Sequence, residues 1–173
     1  IGLLKKGYSV SGSDLIKNNE TNNLEDLGAI IFNSQTRQNI EFVTSKFNNK
    51  LINFVVSSAI KPENEELSYC KKKNFKIKHR SEILAMLMKT YTALAVAGSH
   101  GKTSTSTFLS TLLELCTHNS SSITGGIIPI YDSNCHLKNT KFLVAEVDES
   151  DGTINKYKSD IGIINNIDFD HCD

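Results

Sequence analysis

Apolar runs alternate with amphipathic segments along most of the 173-residue chain. In the first half this pattern predicts helices over residues 1–6 and 20–27, a polar helix ending near residue 47, and another over 62–73. It predicts strands between them, over residues 8–12, 29–32, 51–56 and 75–78. Strands that alternate with helices are typical of a parallel sheet with helices packed on it.

The second half continues the alternation. A helix is predicted to begin at Ser81, and another follows Lys102. Uninterrupted apolar runs predict three buried strands, over residues 93–97, 142–145 and 159–164. Three further segments are predicted to lie outside the regular elements: a polar break at 120–122, a turn next to the ligand edge at 124–126 and a polar excursion over 131–140. We place a domain boundary near Thr90, which gives domains at residues 1–90 and 91–173.

A glycine-bounded loop joins the strand predicted at 93–97 to the helix after it, in the order Gly98-Ser-His-Gly101-Lys102-Thr103. This arrangement is typical of phosphate binding, because backbone N–H groups and the helix dipole both point at the anion. Lys102 would neutralise phosphate charge, and the Thr103 hydroxyl would coordinate a magnesium ion. Two residues separate the glycines where the general phosphate-loop pattern has four, so the alternative is a strand-to-helix turn with a surface lysine.

Carboxylates follow the other two strands predicted in the second half. One strand ends in Glu146-Val-Asp-Glu-Ser-Asp151, and the other in Asn165-Asn-Ile-Asp-Phe-Asp-His171. Because the carboxyl ends of parallel strands meet at one edge, these side chains should lie beside Lys102, where magnesium ligands are expected. The alternatives are a solvated, helix-capping loop for the acidic run and a structural role for the histidine.

Polar residues also end two strands predicted in the first half. Asp14 follows the strand at 8–12, and Ser57 with Ser58 follows the strand at 51–56. In dinucleotide-binding folds an acid at the end of the second strand bonds a ribose hydroxyl, and ligands bind at that edge. Asp14 is equally well explained as a cap or turn residue, and the serines as a plain loop.

Composition narrows the class of function. With 19 basic and 19 acidic side chains the formal net charge is zero, which lacks the electrostatic signature of a nucleic-acid binder. The most basic stretch, residues 71–80, is interpreted as a solvated helix end and edge strand rather than a nucleic-acid patch. No apolar run is long enough for a membrane span, and four cysteines without C-x-x-C spacing suit a reducing cytoplasm. We therefore expect a cytoplasmic protein without nucleic acid or membrane insertion, and the oligomeric state stays open.

Three motifs together resemble the ATP-binding motifs of the Mur ligases: Gly98-Ser-His-Gly-Lys-Thr-Ser104, Glu146-Val-Asp-Glu-Ser-Asp151 and Asn166-Ile-Asp-Phe-Asp-His171. The shortened glycine loop is that family's own form. The resemblance spans essentially the whole chain. It implies an α/β protein with a Rossmann-like, parallel-sheet N-terminal domain, followed by part of a P-loop-type ATPase domain. Because the chain begins at Ile1 inside a predicted helix and stops at Asp173 just after a motif, we expect a fragment.

The resemblance also implies roles for individual residues. ATP would be bound by the loop Gly98, Ser99, His100, Gly101, Lys102, Thr103 and Ser104. Thr103 and Glu146 would hold one magnesium ion and His171 another, and the catalytic residues would be Lys102, Glu146 and His171. Asp14, Ser57 and Ser58 would contact a UDP-sugar. Serines at 99 and 104, where the family commonly has threonine, keep the hydroxyl.

The activity implied by the resemblance is an ATP-dependent ligase. It would join L-alanine to the carboxylate of UDP-N-acetylmuramate through an acyl phosphate, in peptidoglycan precursor synthesis. A sister ligase that attaches a recycled peptide or another amino acid is the nearest alternative, because the domain that reads the amino acid lies outside this sequence. From other classes, the alternatives are a non-catalytic nucleotide-binding module and a small kinase. We expect the chain alone to be inactive.

Overall fold

The computed structural model describes residues 1–47, 51–148 and 152–168, and the chain divides into two compact units between Arg80 and Ser81. The regular elements of the first half alternate helix and strand as the sequence predicts. They are α1 (Gly2–Lys5), β1 (Ser11–Ser13), α2 (Asn19–Asp26), β2 (Ile30–Phe32), α3 (Arg37–Lys46), β3 (Phe54–Val56), α4 (Glu65–Lys72) and β4 (Ile77–His79).

Two parallel two-stranded sheets, β1 with β2 and β3 with β4, form the strand content of the first unit among its described residues. A cavity of about 720 Å³ is lined by all three residues of β1 and all three of β3, whereas β2 and β4 contribute one residue each. Strands β1 and β3 therefore turn their edges toward the cavity.

The second half begins with α5 (Arg80–Met88). The elements that follow it are β5 (Thr92–Ala97), α6 (Lys102–Leu115), β6 (Ser120–Ile128), β7 (Ser133–His136), β8 (Phe142–Glu146) and β9 (Ile161–Ile164). The five strands form one sheet in the order β7-β6-β8-β5-β9, in which only the β6–β7 pairing is antiparallel. Strand β5 is an interior strand, as predicted for residues 93–97.

Strands β5 and β8 are apolar on both faces, and this places the core on both sides of the sheet. On one face Ala93, Ala95 and Ala97 pack with β8 residues and with Met88 of α5. On the other face Leu94, Val96 and Val144 pack against Leu109 and Leu113 of α6. The α/β fold expected from the sequence is confirmed, with a parallel first unit and a mixed sheet in the second.

Four predictions about the second unit were wrong. Residues 120–122 and 124–126 form strand β6 instead of a break and a turn, and the excursion at 131–140 contains β7. Two of the three serine hydroxyls of β6 are bonded internally: Ser122 donates to Ser110 at 2.9 Å, and Ser121 donates to the Lys138 carbonyl at 3.1 Å. Strand β9, predicted to be buried, lies at the sheet edge and is mostly exposed.

Within the described residues, no helix is both long and apolar enough to cross a membrane.

Candidate active site

The glycine loop lies between the carboxyl end of β5 and the first turn of α6, as the sequence predicts. Gly101 is the N-cap residue and has φ +79°, and Gly98 has φ +133°. Side chains are strained in that left-handed region. A Cβ on Gly98 would also lie 3.1 Å from the carbonyl oxygen of Asn166. The loop can approach the end of β9 this closely only because position 98 is glycine.

Lys102, the first residue of α6, folds back over the loop. Its ammonium donates to the Gly98 carbonyl at 2.6 Å and to the Ser99 carbonyl at 3.4 Å. The positive charge and the N-terminus of the 14-residue helix α6 therefore lie together, which favours an anion at this point.

Thr103 and Glu146 come from different elements and meet beside the loop. The Thr103 hydroxyl lies 3.0 Å from both carboxylate oxygens of Glu146. Glu146 ends β8, where it is paired in register with Val96 of β5. The backbone N–H of Gly125 donates to the same carboxylate at 2.7 Å. Thr103 and Glu146 were predicted to belong to the site, whereas Gly125 was predicted only to lie in a turn beside the ligand edge and was given no role.

The end of β9 braces the glycine loop through two asparagines. Asn166 accepts from the His100 N–H at 2.9 Å and donates from Nδ2 to the His100 carbonyl at 3.1 Å. Asn165 donates to the same carbonyl at 3.2 Å, and its own N–H donates to Ala97 at 3.0 Å. Sequence analysis quoted these asparagines within a motif but gave them no role. His100 takes part in this brace through its backbone.

Ser99 and Ser104, the remaining loop residues in the predicted ATP site, differ in their surroundings. The Ser99 hydroxyl accepts from the backbone N–H of Asp168 at 3.1 Å, so it also joins the loop to the segment after β9. Ser104 lies in the first turn of α6 and is exposed. Hydroxyls are therefore present on both sides of Lys102.

The first unit contains the residues predicted to contact a UDP-sugar, and each of them has its own surroundings. Asp14 is exposed and accepts from the Ile16 N–H at 2.9 Å, the turn contact that was its alternative explanation. Ser57 lines the cavity, and the Ser58 hydroxyl lies 3.1 Å from the His79 ring.

Glu66 is a polar residue of the cavity wall that sequence analysis missed. Its carboxylate accepts from Ser13 at 2.6 Å and from the buried Asn39 at 2.7 Å. Cys70 lies in the same wall, where burial, with a smaller contribution from the negative charge of Glu66, raises the pKa of the thiol to about 11. No sequence motif marks Glu66, because its partners come from distant parts of the chain.

His171 and the end of the acidic run, residues 149–151, lie outside the described residues. Within the described ranges, no group of three or more His, Cys, Asp or Glu side chains is arranged to hold a metal ion.

Thr103 and Glu146 nevertheless fit one magnesium ion by the chemistry of their donors. Mg²⁺ prefers oxygen ligands at about 2.0–2.1 Å in octahedral geometry, so neighbouring ligands lie about 2.9 Å apart. The observed 3.0 Å between the hydroxyl and carboxylate oxygens matches that spacing. The pair therefore suits a hard cation next to an anion held by the glycine loop.

The fold and this site define an α/β protein of the phosphate-loop class. The chain belongs to the Mur ligase family: "Mur ligase family, catalytic domain" matches residues 2–92, and "Mur ligase middle domain" matches residues 96–173. The two matches divide between residues 92 and 96, whereas the compact units divide between Arg80 and Ser81, and the boundary near Thr90 stays a prediction.

Several curated relatives are similar over the whole chain. A UDP-N-acetylmuramate–L-alanine ligase of Prochlorococcus marinus subsp. pastoris is 75% identical, over 100% of this chain and 37% of the relative. A ligase of the same name from a Synechococcus species is 43% identical, over 99% of this chain and 35% of the relative. The chain thus spans little more than a third of the length of these relatives.

Solved structures share the fold at low sequence identity. A UDP-N-acetylmuramate:L-alanyl-gamma-D-glutamyl-meso-diaminopimelate ligase from Neisseria meningitides superposes with a TM-score of 0.87 at 22% identity, covering 98% of this chain and 56% of that one. A UDP-N-acetylmuramate-alanine ligase from Thermotoga maritima superposes with a TM-score of 0.82 at 23% identity, covering 96% of this chain and 37% of that one.

Proposed function

We propose that the second unit binds ATP with magnesium, and that the complete protein is a cytoplasmic ligase joining L-alanine to the carboxylate of UDP-N-acetylmuramate. The observation that carries this proposal is the meeting of Lys102, Thr103 and Glu146 at one edge of one sheet. The choice of L-alanine is supported by the names of relatives up to 75% identical.

The chain's own residues hold and neutralise the anion in this proposal. Like charges about 4 Å apart repel by roughly 4 kcal/mol at an effective dielectric near 20, so a carboxylate and a triphosphate come together only where cations offset them. Lys102 supplies one cation, and Thr103 with Glu146 holds a second. When bound, magnesium-ATP supplies the phosphoryl group that activates the substrate carboxylate for attack by the amine, giving amide, ADP and phosphate.

A sister ligase that adds a recycled peptide remains the nearest alternative, and the Neisseria structure carries such a name. At 22% identity that likeness concerns the fold alone. A small kinase or a non-catalytic module would not need the separate unit with its own cavity that precedes the phosphate loop here.

The experiment is to supply ATP, magnesium, UDP-N-acetylmuramate and L-alanine to the complete protein and to its Lys102→Ala variant, and to follow ADP and amide product. We expect the variant to lose about 10²–10³-fold in turnover, the usual effect of removing a group that stabilises developing charge. Its melting temperature should stay close to that of the unaltered protein, because the bonds from Lys102 to the Gly98 and Ser99 carbonyls lie within the glycine loop itself. Replacing L-alanine by a tripeptide tests the sister-ligase alternative in the same assay.

The 173-residue chain by itself should make no amide under these conditions. Amide formation requires that the carboxylate, the phosphoryl group and the amine be held together, and effective molarities of about 10⁵ M or more are lost when one reactant is not held. The chain spans 37% of the length of the Prochlorococcus ligase to which it is 75% identical. Robust product from the chain alone would contradict the proposed division of labour.

A further inference from the structure

Strand β6 contains a large bulge next to the candidate magnesium ligands. Between the paired positions Ile123–Cys135 and Ile128–Ser133, β6 advances five residues while β7 advances two. Inside the bulge the Thr124 hydroxyl donates to the Gly126 carbonyl at 2.7 Å, which fixes its shape. Bulges re-aim backbone groups, and they are frequent beside active sites.

The bulge directs one backbone N–H at Glu146. Parallel pairing of β6 with β8 reaches Ile123–Ala145, one residue before Glu146. Beyond that point the Gly125 N–H donates to the Glu146 side chain at 2.7 Å. The carboxylate thus accepts from the Gly125 N–H at Oε2 and from the Thr103 hydroxyl, which lies 3.0 Å from both of its oxygens. These two bonds fix where the carboxylate lies.

Backbone conformation does not explain why positions 125 and 126 are glycine, since neither has a φ in the left-handed region. Close approach does explain it. A Cβ on Gly125 would lie 3.0 Å from Glu146 Oε1, and a Cβ on Gly126 would lie 2.9 Å from Thr103 Cγ2. Glycine weakens a strand interior and often marks a place where another group approaches closely.

We propose that Gly125 and Gly126 are positioning residues for the Thr103–Glu146 magnesium site. Gly125 holds the carboxylate with its N–H, and Gly126 leaves room for the Thr103 methyl group, so that the hydroxyl faces the carboxylate. This inference rests on the proposed function, because it assigns the glycines to the metal site of that function.

The test measures binding, by calorimetry on the complete protein, of ATP with magnesium and of ATP with EDTA. Gly126→Ala should force the threonine to rotate and weaken magnesium-ATP binding by about 10- to 100-fold, the usual cost of disturbing a group that orients a metal ligand. Binding of ATP in EDTA should change far less. Gly162→Ala in β9 is the matched control, because its Cβ would meet only Ser159 Oγ, at 4.0 Å.

A rescue experiment distinguishes a positioning role of Gly126 from general damage to strand β6. Thr103→Ser removes the methyl group that would collide and keeps the hydroxyl, so Gly126→Ala should cost little magnesium-ATP affinity in that background. In Gly125→Ala the added Cβ would meet the Glu146 carboxylate instead, so Thr103→Ser should not restore the magnesium-ATP affinity of that variant.

Each outcome has a distinct meaning. If magnesium does not strengthen ATP binding to the unaltered protein, the proposed function fails. If magnesium does strengthen it, but Gly126→Ala binds like Gly162→Ala or is not rescued by Thr103→Ser, the positioning role is overturned.

Discussion

The thiol of Cys70 is 3% exposed in the wall of the first unit's cavity, and its pKa is raised to about 11 by burial and by Glu66. At pH 8 a thiol with that pKa is only about 0.1% thiolate, the form that reacts with alkylating reagents. Cys116 is exposed and serves as the internal reference.

We therefore expect iodoacetamide at pH 8 to label Cys116 well before Cys70 in the folded chain, and to label both readily in denaturant. Peptide mapping by mass spectrometry gives the two rates separately. Equal labelling of the two thiols in the folded chain would contradict the burial of Cys70. A Cys70→Ser variant confirms the assignment of the slow peptide.

A functional residue could be predicted from the sequence where local motif position determines its place, and could not where strand pairing does. Lys102 and Thr103 follow from their position after a glycine loop, and Glu146 from its position at a strand end. Gly125 and Asn166 act through contacts that depend on a bulge and on strand register. Neither contact can be predicted from the local spacing of residues, because each depends on how the strands pair.

At the scale of elements, the end of β9 and the glycine loop form one braced structure. Asn166→Ala removes two side-chain hydrogen bonds to the His100 backbone. A typical intramolecular hydrogen bond contributes about 0.5–1.5 kcal/mol to stability. Allowing for the exposure of this site, we expect urea titration of Asn166→Ala to show a free energy of unfolding that is lower by about 1–2 kcal/mol.

Affinity for ATP should fall together with stability in Asn166→Ala, because the loop proposed to surround the phosphates would no longer be held. Fluorescent nucleotide titration measures the affinity. The neighbouring Ile167→Ala is a suitable control, since Ile167 is 89% exposed. Unchanged affinity in Asn166→Ala would mean that the brace is dispensable for the loop.

The alternation of apolar and polar segments predicted most elements because each half repeats strand and helix with few interruptions. It failed at β6, where Ser120–Ser122 look polar in sequence. Their side chains are buried, and Ser122 shares a hydrogen bond with Ser110 of α6 that no one-dimensional pattern reveals. It also overestimated the burial of β9, because an edge strand and an interior strand have similar apolar runs.

At the scale of the whole molecule, the two units differ in how much core holds them. Among the described residues, three of sixteen buried hydrophobic side chains lie in the first unit: Ala29, Val43 and Cys70. The second unit has a five-stranded sheet with packing on both faces. Less buried apolar surface means less stabilisation.

We therefore expect the first unit to open at lower denaturant concentration than the second. Hydrogen exchange followed by mass spectrometry should show weak protection in β1 and β3, which face the cavity, and strong protection in β5 and β8. Hydrogen-exchange protection in the exposed edge strand β9 provides the comparison with β5 and β8 within the second unit. Uniform protection across β1, β3, β5 and β8 would contradict this expectation.

The bond from Lys102 to the Gly98 carbonyl makes that carbonyl a competitor of the incoming anion for the ammonium. The ammonium has three N–H donors, so a phosphate either uses another donor or replaces the carbonyl. Where it replaces the carbonyl, it gives up a bond of a kind that contributes about 1.5–3 kcal/mol, so the net gain in affinity is smaller than for a lysine already turned toward the ligand. Anions that make few other contacts, such as inorganic phosphate, lose most from this exchange. The loop thereby discriminates by the number of contacts a ligand brings, before any part of the nucleotide other than its phosphates is recognised.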